Sequence, residues 1–322
     1  MKERKTLPAG EALAAQAAEA LPAPQPAAEG AQEGALVVNK KAFVRELAMK
    51  IVFIVAAALF VVVVGVICVY LLASAIPTIA EIGFVKFLFG STWLPSSGYY
   101  GVGTLIVGTA YSTACALVIG VPVGLLVAVF MAFYCPRWLY KIMKPVTNIL
   151  AGIPSIVYGY FGLVVIVPIV RESFGGGGTS LLATAIILGI MILPTIISIS
   201  ENALRAVPKS YFEGALALGA TKERAIFRTM FPAAKSGVVT SVILGLGRAF
   251  GETAAVVLIC GNAAIFPGSL LDPIRTLSSN IASELAYSTG LHREALIACA
   301  VVLFVFILFI TVIVMLLRRK KR

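Results

Sequence analysis

Six long apolar runs constrain this chain more than any other feature of its sequence. Each is close to, or longer than, the roughly 20 apolar residues that an α-helix needs to cross a bilayer. Charged residues make up only 13% of the 322 residues, against about 25% in an ordinary soluble domain. We therefore predict an all-α membrane protein with six transmembrane helices, at about residues 50–76, 103–133, 147–170, 179–200, 236–261 and 294–317.

The basic residues lie mostly on one side of these predicted helices. Twenty-one of the 26 Lys and Arg residues fall in the N-terminal segment, in the connections 136–145 and 201–235, and in the C-terminal stretch Arg318–Arg322. Because Lys and Arg are retained on the cytoplasmic side, we expect both termini and these two connections to be cytoplasmic. The net charge of +11 records this asymmetry, since no basic face rich in aromatic residues points to nucleic acid.

Residues 1–41 have a different composition from the rest of the chain. Ala, Pro, Glu and Gln dominate this segment, which predicts a disordered cytoplasmic tail. It has no apolar core of about 7 to 15 residues before a small-residue cleavage site, so we do not expect a signal peptide. The remaining residues, 42–322, form the predicted membrane domain.

The sequence lacks the residue patterns typical of enzymes and metal sites. Its five cysteines are irregularly spaced without a CxxC pair, which favours small buried side chains over a disulfide or a metal site. Neither HExxH nor GxSxG occurs. The spacing of Gly214 and Gly219 continues with Ala220 and Thr221, where a phosphate-binding loop needs Lys. We expect a chain that is not an enzyme and that carries no ATP site of its own.

A polar segment, residues 201–235, separates two of the apolar runs. It carries six Lys and Arg residues against three Glu. Its second part, from Glu213 to Pro232, has helix-forming Ala and Leu, then Gly219, then a second amphipathic turn before the proline. This pattern predicts two short helices. Such a segment favours a docking surface for a soluble partner over a simple linker.

Two charges, Arg248 and Glu252, lie within the fifth predicted membrane helix. At a spacing of four residues they share one helix face and can pair. A charge in hydrocarbon costs at least about 2.5 kcal/mol on insertion scales, so both should face a bundle interior or a wet path. An ion pair that only fixes helix packing, with Gly247 and Gly251 allowing close approach, is one interpretation. The other is a path for an anion, because an arginine can give a phosphate or sulfate two parallel hydrogen bonds.

The segment from Glu213 to Pro232 resembles the EAA loop of binding-protein-dependent ABC importer permeases. That pattern places Glu-Ala-Ala before a Gly and ends in a hydrophobic-x-hydrophobic-Pro motif. Gly214 replaces the first Ala, and Thr229 and Phe231 replace the usual aliphatic pair. The resemblance implies coupling helices that sit in a groove of an ATPase. It assigns the docking contacts to Glu213, Gly214, Ala215, Gly219, Ala220 and Pro232.

Four further stretches resemble the phosphate-specific (Pst) permeases, and the PstC subunit more than its partner PstA. The similarity extends over about residues 45–317. The stretches are Leu150-Ala-Gly-Ile-Pro-Ser-Ile-Val-Tyr-Gly159, Ile192-Leu-Pro-Thr-Ile196, Gly247-Arg-Ala-Phe-Gly-Glu252 and Arg275-Thr-Leu-Ser-Ser-Asn-Ile-Ala282.

This resemblance implies the MetI-like fold of a type I ABC importer permease in a bacterial or archaeal inner membrane. The implied partners are a second, PstA-like permease, a PstB-like ATPase dimer that binds ATP and Mg²⁺, and a PstS-like extracytoplasmic phosphate-binding protein. No cofactor is expected on this chain itself. The resemblance associates Arg248 and Glu252 with transport. We expect Arg248 to support passage of phosphate, and Glu252 to orient it and to limit how tightly the anion is held.

Three other functions stay open from the residues alone. A permease of the same architecture for molybdate, sulfate or another oxyanion is the first. An ion channel or secondary transporter would use Arg248 and Glu252 as a gate or proton relay, although the EAA-type segment argues against it. A membrane sensor or scaffold is the third.

The outer connections carry polar and aromatic residues of less specific meaning. Asn262, Asn280, Glu284, His292 and Arg293 either contact the binding protein or form an ordinary solvated loop. For Trp93, Tyr99 and Tyr100, an anchoring role at the membrane interface is favoured over ligand contact.

Overall fold

The computed structural model describes residues 40–319, with side chains for residues 45–316. The predicted disordered tail lies outside the described residues, except that Lys40 and Lys41 begin the first helix. The side chains of the basic C-terminal stretch also lie outside them. The chain divides into two compact units, with the boundary between Val64 and Gly65. In the first unit the described residues are helical and exposed, and all further contacts described below lie within the second.

The described part of the chain is almost entirely helical, which confirms the predicted all-α membrane fold. A two-stranded antiparallel hairpin, β1 (Trp93–Leu94) and β2 (Tyr99–Tyr100), lies between the second and third helices. The helices are α1 (Lys40–Ile82), α2 (Phe84–Phe89), α3 (Gly103–Val129), α4 (Arg137–Gly152), α5 (Ser155–Phe161), α6 (Val167–Phe174), α7 (Leu181–Arg205), α8 (Lys209–Ala217), α9 (Lys222–Ala225), α10 (Phe231–Ala233), α11 (Lys235–Gly251), α12 (Ala254–Ile259), α13 (Leu277–Glu284) and α14 (Gly290–Arg319).

Three segments of π-helix join some of these helices. They are Phe130–Tyr134 after α3, Gly162–Ile166 between α5 and α6, and Ile226–Met230 between α9 and α10. Each continues its neighbouring helix without a break, so α5 and α6 form one continuous helical stretch from Ser155 to Phe174.

Five helical stretches among the described residues are long and apolar enough to cross a membrane. They are Arg45–Ile82, Gly103–Tyr134, Ser155–Phe174, Leu181–Arg205 and Gly290–Leu316. A sixth exists if Lys222–Ala233 and Lys235–Gly251, which meet at a 70° bend, count as one span. Two predicted spans differ from the observed helices: residues 147–170 are broken before Pro154, and residues 236–261 are broken at Glu252 and Thr253.

Helices α3 and α7 form the centre of the second unit. They approach closely because glycines on α3 face isoleucines on α7: a Cβ on Gly120 would lie 2.7 Å from Ile192, and one on Gly124 would lie 2.8 Å from Ile196. Ile192 and Ile196 are fully buried, and they also pack against Ala249 of α11. Helix α7 therefore fixes the position of α11, on which Arg248 lies.

Candidate functional site

Helix α11 ends at Gly251, between the two charges that the sequence places on one face. Arg248 is in its last turn, whereas Glu252 has extended backbone, with φ −71° and ψ 130°. The Glu252 carboxylate accepts a hydrogen bond from the backbone N–H of Ala255 at 3.1 Å, and so caps the start of α12. No ion pair joins Arg248 to Glu252. The predicted pairing is wrong because the helix that would place them one turn apart ends first.

The Arg248 guanidinium is half-buried and has only weak neutral contacts. Its Nη1 donates to Thr195 Oγ1 of α7 at 3.5 Å, at the long limit of a hydrogen bond. Among the described residues, no carboxylate forms an ion pair with this guanidinium.

The two glycines beside Arg248 face open space. A Cβ added to Gly247 or to Gly251 would meet no atom within 4 Å, and Leu244, one turn earlier, is half exposed. The predicted close approach of helices through this pair of glycines does not occur within the chain. This face of α11, defined by Leu244, Gly247 and Gly251, is uncovered.

Helix α13 packs against the break after α11. Ser278 Oγ donates to the backbone carbonyl of Glu252 at 2.8 Å, and Thr109 Oγ1 of α3 accepts from the backbone N–H of Leu277 at 3.0 Å. Thr276 and Ser279 cap the start of α13 in a reciprocal pair, as in a capping box. These contacts satisfy backbone groups that the interrupted helices leave free.

The predicted docking residues lie on or between two short helices at the surface, α8 and α9, except for Pro232, which lies on α10. Helix α8 is followed by Gly219 in the left-handed region, at φ +82°, which favours glycine. Thr221 then accepts from the backbone N–H of Arg224 and caps α9. Glu213, Gly214, Gly219 and Pro232 are exposed, Ala215 and Ala220 are half-buried, and Leu218 beside them is 91% exposed. The surface suits a partner that would cover Leu218.

A second charged cluster, which was not predicted from the sequence, lies at the end of α7. Glu201 near the end of α7 is fully buried. Its carboxylate accepts from the Tyr140 hydroxyl at 2.7 Å, from Lys144 Nζ at 2.6 Å and from Arg205 Nε at 2.8 Å. The spacing of four residues between Glu201 and Arg205 is the sequence signal for this pair.

A third cluster surrounds Glu284 at the end of α13. Trp93 Nε1 donates to its carboxylate at 2.9 Å, Arg275 Nη1 at 2.6 Å, and His292 Nε2 lies 2.9 Å away. Arg275 also donates to Asn280 at 2.9 Å. Burial alone would raise the pKa of Glu284, but the hydrogen bonds from Trp93, His292 and Arg275 outweigh it and hold that pKa below its usual value.

The Glu284 cluster corrects two expectations about the outer connections. Glu284 and Asn280 are buried, so neither belongs to a solvated loop or offers a direct contact to a binding protein. Trp93 and Tyr100 are also buried, at 6% and 8% exposure, and their rings meet edge to face at 5.8 Å. Their predicted role as interfacial anchors is wrong. Tyr99 is 60% exposed.

Among the residues that the structure describes, no group of three His, Cys, Asp or Glu side chains is placed to hold a metal ion. The polar groups at the end of α11 are the guanidinium of Arg248, the hydroxyl of Thr195 and the carboxylate of Glu252.

Comparison with known proteins gives consistent matches. Residues 120–322 match the family model described as binding-protein-dependent transport system inner membrane component. The probable ABC transporter permease protein YqgH of Bacillus subtilis is 40% identical over 243 residues, which are 74% of this chain and 79% of that protein. The phosphate transport system permease protein PstC of Mesorhizobium japonicum is 35% identical over 271 residues, 78% of this chain and 83% of that protein.

A solved structure shares the fold. The methionine ABC transporter MetNI, in an inward-facing conformation, superposes with a TM-score of 0.54 at 23% identity, over 72% of this chain and 100% of that one. The predicted MetI-like permease fold is thereby confirmed.

Proposed function

The chain belongs to the family of binding-protein-dependent transport system inner membrane components, and we propose that it is the PstC-type permease subunit of an ATP-driven importer of inorganic phosphate. The observation that carries the proposal is the half-buried guanidinium of Arg248, held by α7 at the end of a broken membrane helix with only neutral partners. The relative from Mesorhizobium japonicum is named as a phosphate transport permease, which supports phosphate as the anion.

Arg248 provides the attraction for phosphate. A guanidinium can donate two parallel hydrogen bonds to one phosphate, and the 3.5 Å contact with Thr195 is easily exchanged for such a ligand. Glu252 provides the limit on affinity, since its negative charge near the path repels a bound anion and favours release. Conduction needs both capture and release.

The path itself is completed by a second permease. The face formed by Leu244, Gly247 and Gly251 is uncovered in this chain and lies directly beside Arg248. A homologous, PstA-like permease that packs against this face would enclose the guanidinium between two subunits. Small residues at such an interface let two helices approach closely in a membrane.

The two short exposed helices α8 and α9 couple the permease to the ATPase. Glu213, Gly214, Ala215, Gly219, Ala220 and Pro232 are the residues assigned to docking a separate, PstB-like ATPase dimer, which binds ATP and Mg²⁺ and carries out the hydrolysis. ATP binding closes that dimer and moves the docked helices, and the membrane helices then change from inward-facing to outward-facing. A PstS-like extracytoplasmic protein delivers phosphate to the outward-facing state.

The orientation in the membrane follows from the basic residues. The docking segment and both termini are placed in the cytoplasm because the connections on their side hold most of the Lys and Arg residues. Glu284 and the hairpin β1–β2 then lie at the extracytoplasmic side. This orientation puts the ATPase and the binding protein on opposite sides of the membrane, as import requires.

Uptake by the complete complex in proteoliposomes tests the proposal. With ATP inside and the binding protein outside, labelled phosphate should accumulate, and excess unlabelled phosphate should compete while sulfate and molybdate do not. Accumulation of sulfate or molybdate in its place would assign the permease to another oxyanion. Phosphate flux without ATP would instead favour a channel or a secondary transporter.

A further inference from the structure

The buried carboxylate of Glu201 joins three helix ends at one point. Through Tyr140 and Lys144 it holds α4, and through Arg205 it holds the last turn of its own helix α7. Arg205 in turn donates from Nη2 to the backbone carbonyl of Met131, 2.7 Å away, in the π-helical end of α3. The guanidinium also lies over the Tyr140 ring, 4.5 Å from its centroid.

Stability alone is a poor reason for such a cluster. Removing charges from water is costly, and a buried ion pair is often no more stabilising than apolar side chains of similar size. Apolar packing already joins α3 to α7, since Leu204, Ala128 and Val129 share one buried cluster. The specific geometry of the Glu201 contacts therefore points to a role beyond holding the fold together.

The cluster lies directly next to the docking helices. Arg205 is the last residue of α7, and only Ala206, Val207 and Pro208 separate it from α8. On the other side of the docking segment, Lys222 of α9 places its ammonium 4.5 Å from the centroid of the Tyr134 ring, at the end of α3. The docking segment is thus linked to the helices that Glu201 connects both before α8 and at the start of α9.

From the cluster, helix α4 leads towards Arg248. It ends at Gly152, and the chain breaks at Ile153 and Pro154 before α5 begins. The Tyr158 hydroxyl of α5 donates to the carbonyl of Leu150 at 2.8 Å and fastens the two helices across that break. Tyr158 also packs in one buried cluster with Ala255 of α12, the helix that follows the break after Arg248.

We propose that Glu201 is a positioning residue that couples the docking helices to the anion path. Its carboxylate holds α4 to the end of α7, so a displacement of α8 by the ATPase is passed through α4 to Tyr158 and Arg248. The inference rests on the proposed function, because it assumes that α8 docks an ATPase and that Arg248 meets the transported anion. Proximity alone does not establish coupling between two sites, so the contacts must be broken one at a time.

Lys144 and Lys141 provide a matched pair of variants on α4. Lys144 contacts Glu201, whereas Lys141 is exposed and has no hydrogen bond or ion pair in the part of the chain that the structure describes. Lys144→Gln leaves the Glu201 carboxylate with Tyr140 and Arg205, so that carboxylate keeps partners. The measurement is the number of phosphate ions transported per ATP hydrolysed by the complete reconstituted complex, with assembly and thermal stability recorded for each variant.

In Lys144→Gln the ratio of phosphate to ATP should fall at least about fivefold, the lower end of ordinary coupling between sites, while ATP hydrolysis continues. Lys141→Gln should keep the wild-type ratio. If Glu201 and Lys144 act through their mutual contact, Glu201→Gln combined with Lys144→Gln should be no worse than Glu201→Gln alone, because the effects of contacting residues do not add.

Three results would overturn the inference. The first is a wild-type ratio of phosphate to ATP in Lys144→Gln, and the second is strictly additive effects on that ratio when Glu201→Gln and Lys144→Gln are combined. The third is a Lys144→Gln complex that fails to assemble while the Lys141→Gln complex assembles, which would assign the cluster to folding. If Glu201→Gln does not assemble, the comparison of the two lysine variants decides. Wild-type complex that transports no phosphate would contradict the proposed function, whereas wild-type transport with an unchanged ratio in Lys144→Gln contradicts only this inference.

Discussion

The carboxylate of Glu252 caps helix α12 through the backbone N–H of Ala255, at 3.1 Å. The Arg248 guanidinium has the hydroxyl of Thr195 as its hydrogen-bond partner. We propose separate roles for the two charges: the guanidinium attracts an anion, and the carboxylate holds the break in the helix and limits how tightly that anion is bound.

The separation of roles predicts an unusual result for Glu252→Gln. The amide oxygen of glutamine can still accept from Ala255, so the cap is kept, but the negative charge is lost. Phosphate should be held more tightly, which lowers both the KM and the maximal rate of uptake. The measurement is the dependence of uptake on phosphate concentration in proteoliposomes.

Glu252→Ala is the matched variant, because it removes the cap as well as the charge. It should lower the stability of the complex by about 1 kcal/mol, the usual cost of losing a helix cap, whereas Glu252→Gln should not. An unchanged KM in Glu252→Gln would show that this carboxylate has no influence on the anion.

Gly219→Asp should uncouple or detach the ATPase. Gly219 is exposed, in the left-handed region and next to the exposed Leu218, so a charged side chain there would meet the docked subunit. Co-purification with the ATPase and phosphate-dependent ATP hydrolysis measure the effect. The affinity of the binding protein for phosphate should not change.

Gly98→Asp controls for backbone strain in that experiment. Gly98 has φ +77°, close to the +82° of Gly219, and a Cβ at either position meets no atom within 4 Å. It lies in the hairpin between β1 and β2, on the side assigned to the exterior. Equal loss of the ATPase in both variants would contradict the docking role of Gly219.

Glu284→Gln should destabilise the protein in a manner that depends on pH. The pKa of Glu284 is held below its ordinary value of 4.5 by hydrogen bonds that outweigh the effect of burial, so its charged form stabilises the folded state. That contribution is present above about pH 4.5 and is lost as the pH falls through the lowered pKa. At neutral pH the variant should lose roughly 3 kcal/mol, the lower end for breaking a buried ion pair.

Thermal unfolding of wild type and Glu284→Gln at neutral pH and below pH 4.5 checks this. The difference between them should shrink in acid. Glu172→Gln is the control, since Glu172 is exposed and forms no ion pair among the described residues. A difference that stays constant with pH would show that the Glu284 charge does not stabilise the fold.

Much of the fold could be predicted because long apolar runs have few other structures available in a membrane. The docking segment could also be predicted in outline, since Gly219 is a local signal for the end of a helix. These features depend on neighbouring residues in the sequence, and periodicity and composition report on them directly.

The break at Glu252 could not be predicted in the same way. No proline interrupts the sequence there, and the break is stabilised by Ser278, which donates to the Glu252 carbonyl from 26 residues away. The burial of Glu201 depends on Tyr140 and Lys144, about sixty residues earlier in the chain. Contacts of this kind are decided by tertiary packing. A single sequence does not show which distant residues meet, so it cannot reveal them.

Uptake of labelled phosphate by the reconstituted complex carrying Arg248→Gln tests the central claim most directly. Loss of a charged hydrogen-bond donor costs about 1.5 to 3 kcal/mol, so uptake should fall roughly tenfold to a hundredfold. Assembly with the second permease and capture of the ATPase should persist, because Arg248 is half-buried against α7 and is not one of the docking residues. Normal uptake by the assembled Arg248→Gln complex would contradict the role of this arginine in the anion path.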